Sequence, residues 1–175
     1  MKYLRRGLFF VLVRLLVITA VFGAGVVSFY YAMNLTNLQI ILKDGMARRA
    51  QVIMGAESES ELNKYFQSSF LANDAALVAY RNGESPYRDY TVRGIDHRIH
   101  MGFVWVWPWD ERCHLTIREE IPRIDGRVKG DRAEEIVQER GQNAVYPPAW
   151  QSASYEVTLV REQGRWLIRS MQETR

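Results

Sequence analysis

Three histidines, a single cysteine and a run of tryptophans are the side chains of this sequence with the most chemistry to offer. His97 falls at an odd position among Ile95, Ile99 and Met101, so strand alternation sets an imidazole on an apolar face. In that setting it is either a general acid or base with a shifted protonation equilibrium or a hydrogen-bonded core histidine. His100 falls on the opposite face, and only His100 and His114 can share a polar face, near Asp96 or Glu120. Neutral imidazoles bind metals, but no His-x-His with a third nearby ligand occurs at a characteristic spacing, so no metal site is assigned.

Phe103, Trp105 and Trp107 extend the odd face past Met101, and Trp109 joins them if the strand runs that far. They form core against the first helices or, with His97, line a ligand pocket. Cys113 reads as a small buried hydrophobe, and one cysteine permits no intramolecular disulfide. There is no G-x-S-x-G, no H-E-x-x-H and no phosphate-cradling loop, so no catalytic residue and no cofactor is assigned.

The elements that must carry these residues follow from periodicity. Tyr90 and Val92 alternate with polar neighbours, the phase slips at Gly94, and the odd face then continues to Pro108 as a long strand that Gly102 can bend. Cys113, Leu115, Ile117 and Ile121 alternate with polar residues in a second strand paired to the first around Trp109-Asp110-Glu111. Residues 125 to 150 are irregular, with a short helix over Asp131 to Arg140. Tyr155 to Val160 and Trp166 to Ile168 flank Gln163-Gly164 as a hairpin.

Ahead of the strands lie helices. Ser58 with Glu61 has the form of a capping box, and residues 58 to 80 read as one helix or two broken at Asn73-Asp74. Leu35, Leu38, Leu42, Met46, Ala50 and Ile53 recur at helical intervals, which predicts an amphipathic, membrane-proximal helix over 34–56 ending near Gly55.

Further upstream, Leu15 to Met33 is nineteen residues without a charge. At about 1.5 Å per residue it can cross a hydrocarbon core of roughly 30 Å. Residues 1–14 hold Lys2, Arg5, Arg6 and Arg14 and no acid, whereas 34–56 hold Lys43, Arg48 and Arg49 against Asp44. Positive residues stay on the cytoplasmic side, which predicts a single-pass protein with a cytoplasmic tail and an extracytoplasmic domain over 57–175. A cleaved signal peptide is the alternative, with Gly23-Ala24-Gly25 as a loose processing site, but the apolar stretch exceeds the usual ~7–15 residues. Asn34-Leu35-Thr36 matches a glycosylation sequon too close to the membrane to carry weight.

From Glu57 onward there are 16 Lys and Arg against 19 Asp and Glu, so the domain lacks the basic balance that nucleic-acid binding needs. The order of anchor, helices and bent antiparallel sheet is that of an α+β domain. With the closing Gly164-Arg165-Trp166-Leu167-Ile168, this layout resembles the NTF2-like superfamily, and the preceding span makes it similar to the VirB8-like branch. That resemblance implies helices packed on a cone-shaped sheet and a membrane-anchored component of a secretion or conjugation machine. The expected partners are the lipid bilayer, other membrane proteins and further copies of the chain. A small-ligand sensor or carrier with an aromatic pocket is the second expectation. The third, also implied by the resemblance, is an isomerase or dehydratase with His97 or Asp96 in an apolar pocket.

Overall fold

The computed structural model describes residues 2–174, and it begins with one unbroken helix, α1, over Lys2–Ile53. Its apolar window is bare: none of it is buried against the rest of the chain, and this helix is long and apolar enough to cross a membrane. Further along, the same helix enters the core. Leu38, Leu42, Met46, Ala50 and Ile53 are buried, as the helical spacing predicts. Each large side chain among them contributes about 1.5–3 kcal/mol by leaving water, so α1 is a structural member of the domain as well as a rod leading to it. It ends where expected. Gly55 takes φ 72°, its N–H donates to Val52, and the Ala56 N–H donates to Gln51, closing the helix with a Schellman pattern.

A 3₁₀ turn over Glu59–Lys64 follows, then α2 (Ser68–Asn73) and α3 (Ala75–Arg81). Ser58 caps the 3₁₀ turn, but Glu61 pairs with Lys64 instead of completing a capping box. The break between α2 and α3 falls at Asp74, whose carboxylate accepts from the Ala76 and Leu77 N–H groups.

Four strands form an antiparallel meander in the order β1 (Tyr90–Met101), β2 (Arg112–Val128), β3 (Ala153–Glu162) and β4 (Arg165–Thr174). Register shifts in β1 between Val92 and Gly94 and between Asp96 and Arg98, and at Thr158/Leu159 in β3, bend the sheet. Gln163 and Gly164 both take positive φ, the backbone of a two-residue turn whose twist suits the β3–β4 hairpin. Between β2 and β3 a 3₁₀ turn over Gly130–Arg132 leads into α4 (Ala133–Arg140). α1 packs on the sheet against β1 and β4, α2 meets β4 and α3 packs on α1, around a core that includes Cys113, Leu115, Ile117, Val157, Leu159 and Ile168.

The long first strand is a correction. It stops at Met101, and the chain from Gly102 to Trp107 is irregular; its valines, Val104 and Val106, turn inward while the odd positions face out. Trp105, Trp107 and Trp109 therefore lie outside the buried core. Gly102 makes the last ladder bond, its N–H donating to Thr116, and beyond it the chain leaves the sheet and the alternation changes phase.

Candidate functional site

Beneath the sheet, two buried polar pairs, Arg49–Asp74 and His97–Glu119, lie in the apolar interior, with the half-buried Tyr155 near them. Arg49, on the penultimate turn of α1, reaches the α3 cap, and its Nε and Nη2 donate to Asp74 Oδ2 and Oδ1 at 2.6 and 3.0 Å. Both partners are buried. Burial works against the charged form of each, but the two-pronged contact wins. The Arg49 guanidinium is held above its ordinary value, and the Asp74 carboxyl is held below its own with help from the Leu77 and Ala76 N–H groups.

Glu119 in β2 is wholly buried, and its Oε1 lies 2.9 Å from His97 Nε2 in β1, where the ring N–H donates to the carboxylate. Glu119 Oε2 and His97 Nδ1 have no partner. Arg49 is close enough for Glu119 to act on it electrostatically, and the half-buried Tyr155 hydroxyl is pushed up by desolvation first and by the Glu119 charge second. The cluster therefore reads Asp74, Arg49, Glu119, His97, with Tyr155 beside it: two carboxylates, one guanidinium and one imidazole.

Two cavities open against its Arg49 and Tyr155 side. One, about 430 Å³, is walled by Tyr87, Trp150, Ile53 and Ser85; the Tyr87 and Trp150 rings stack with centroids 6.2 Å apart. The other, about 690 Å³, lies between the α2–α3 junction and the open part of β4, with Phe70, Asp74, Arg169 and Met171 on its walls.

Of the residues singled out by sequence, His97 takes the inward place expected of it, as a hydrogen-bonded core histidine. Phe103, Trp105 and Trp107 are elsewhere, on the outside of the β1–β2 connection, 87, 56 and 38% exposed, with Trp109 at 66%. His97 shares no site with them. Asp96 pairs with Arg98 at the surface, and His114 faces outward, bonded to Thr158. Among the described residues no three His, Cys, Asp or Glu side chains converge on a metal position. Glu119 is the residue that sequence reading passed over. It occupies the next inward position after Cys113, Leu115 and Ile117, a carboxylate on an otherwise apolar stripe, and that break in the pattern was the available signal.

No family model matches the chain, and neither a curated protein nor a solved structure does.

Proposed function

We propose that the chain is a single-pass membrane protein whose α+β domain stands on the extracytoplasmic side and assembles with other membrane proteins, including copies of itself. The observation that carries this reading is the continuity of α1. Its exposed apolar half and its core-forming half belong to one helix without a break, so the domain is joined rigidly to the segment that would sit in lipid. A rigid joint of that kind suits a protein that presents a surface at a fixed height above a bilayer. We read the domain as NTF2-like, in its VirB8-like membrane-anchored form, starting from the order of anchor, helices and bent antiparallel meander.

Crosslinking in intact native membranes tests the assembly reading: defined higher-mass adducts of the full chain are expected, and recovery of monomer alone would overturn it. Protease added to sealed cells should cut the domain; protection until permeabilisation would reverse the orientation.

A second reading, a small-ligand sensor, is favoured by the cavity that sets the Tyr87 and Trp150 rings beside Arg49. Quenching of Trp150 emission by a bound aromatic compound, lost in Tyr87→Ala, is its expected signature.

A further inference from the structure

From Met101 to Trp109 the chain carries no charged side chain, yet four of its aromatic rings face outward. The arrangement is built rather than loose. Val104 and Val106 are buried between the rings and fix the segment's inner edge. Trp105 meets Trp107 edge to face and Trp107 stacks on Trp109, each with centroids 5.2 Å apart. Asp110 Oδ2 accepts from the Trp107 N–H at 2.7 Å. Four large rings ordered toward water forgo the gain that burial would bring them, so an environment other than water should complete this surface.

The contacts with α1 identify that environment. Tyr31 Oη donates to the Val104 carbonyl at 3.2 Å, and the Tyr31 and Trp105 rings lie 5.0 Å apart. Asn34 Nδ2 donates to the Trp107 carbonyl at 3.3 Å. Tyr31 and Asn34 bracket Met33, after which the apolar run gives way to the polar Asn34, Thr36 and Asn37, so the segment is docked at the level where α1 would leave the hydrocarbon. Phe29 and Tyr30 are exposed on the helix at the same height. Trp and Tyr prefer that level of a bilayer, because their rings are apolar and their N–H and O–H groups stay wet.

We infer that residues 103–109 form a second membrane contact, an aromatic foot seated in the headgroup region of the leaflet from which α1 emerges. This inference rests on reading α1 as a membrane span. Two points of attachment, the helix and the foot, fix the tilt of the domain where a helix alone would leave it free to lean. Since the segment is uncharged, it should engage zwitterionic lipid without help from anionic headgroups.

The test uses the full chain in phosphatidylcholine vesicles, with bromine placed either near the headgroup end of the acyl chain or near its middle. Trp105, Trp107 and Trp109 are three of the five tryptophans; Trp166 is buried in the domain. Shallow bromine should remove the larger part of the emission, and deep bromine less. Phe103→Trp, a mild change at the most exposed ring, should add emission that shallow bromine also removes. Added emission indifferent to bromine, or quenched more by deep than by shallow bromine, would overturn the inference. Alkaline carbonate keeps the two readings apart: release from the vesicles would sink the span and the foot together, whereas retention with unquenched tryptophans would sink the foot alone.

Discussion

Arg161 Nη2 donates to Asn34 Oδ1 across 2.7 Å, tying the end of β3 to the first polar residue after the Leu15–Met33 stretch of α1. The same guanidinium donates from Nη1 to the Pro108 carbonyl at 3.0 Å and lies 4.7 Å from the centre of the Trp166 ring. Asn34, in turn, holds Trp107. One cation thus joins helix, aromatic segment and sheet, and Asn34, the sequon residue, spends its side chain inside the structure.

Arg161→Met keeps much of the stem but removes these donors. We expect it to cost about 1.5–3 kcal/mol, the range for hydrogen bonds to a charged group, read as a lower urea midpoint, with carbonate-resistant membrane association unchanged. An unaltered midpoint would mean that the bridge does not hold the domain to α1.

Asp74 does two jobs, pairing with Arg49 and capping α3. Asp74→Asn keeps an acceptor for the cap and breaks the ion pair, and Asp74→Ala loses both, so Ala should be the more damaging. Stranding a buried Arg costs about 3–5 kcal/mol and the lost cap about 1 more. The pH dependence follows from sign. Asp74 is held below its ordinary 3.8 in the fold, so its contribution is complete above the ordinary carboxylate range and is lost as pH falls through the folded value. Wild-type stability should therefore drop more steeply below about pH 4 than that of Asp74→Asn, and parallel acid curves would refute this.

How far the sequence was legible follows from which interactions are local. The Gly55 stop, the Asp74 break and the Gln163-Gly164 turn depend on a few neighbouring residues, and each fell where its residue types direct. Periodicity also placed Leu38, Leu42 and Met46 in the core. The tryptophans were misplaced because alternation reports which residues share a face only while the strand lasts. Gly102 makes the last ladder bond, to Thr116, before the chain leaves the sheet, and the sequence marks it only as a point where the strand can bend, not as the end of the alternation. The Arg49–Asp74 contact joins residues 25 positions apart, and in sequence Arg49 counts only as one more positive charge beyond the span.

Glu119 and His97 depend on each other. Their side chains are 0 and 5% exposed, and each has one polar atom left unpaired. His97→Leu should strand the carboxylate at a cost of about 3–5 kcal/mol, while the His97→Leu, Glu119→Leu double variant should recover part of that loss. A double variant as weak as the sum of the singles, by urea denaturation, would show that the pair is not coupled.

Cys113 is inward-facing on β2, and burial, with a smaller push from Asp110, raises its thiol to about 11. Only the thiolate reacts quickly with maleimides or disulfide reagents, and at pH 8 it is scarce here as well as shielded. Labelling should be slow in the native protein and fast in urea. Rapid native labelling would place the thiol at the surface.

Gly45 lies within α1, where replacement by Ala ought to help by about 1 kcal/mol on propensity alone. The packing reverses the sign. A Cβ at this position would stand 2.9 Å from Tyr65 Cβ and 3.4 Å from Ile168 Cδ1. Tyr65 cannot retreat freely, because its carbonyl accepts from the Ile168 N–H at 2.8 Å and the adjacent Gln67 N–H donates back to Ile168. Moving it means shifting the segment that closes the edge of β4. Overpacking of this kind costs about 1–3 kcal/mol, so Gly45→Ala should lower the thermal midpoint. Gly23→Ala, also within α1 but with nothing within 4 Å, serves as the control and should not lower that midpoint. A Gly45→Ala protein more stable than wild type would show that α1 and the 65–67 segment do not pack at this distance.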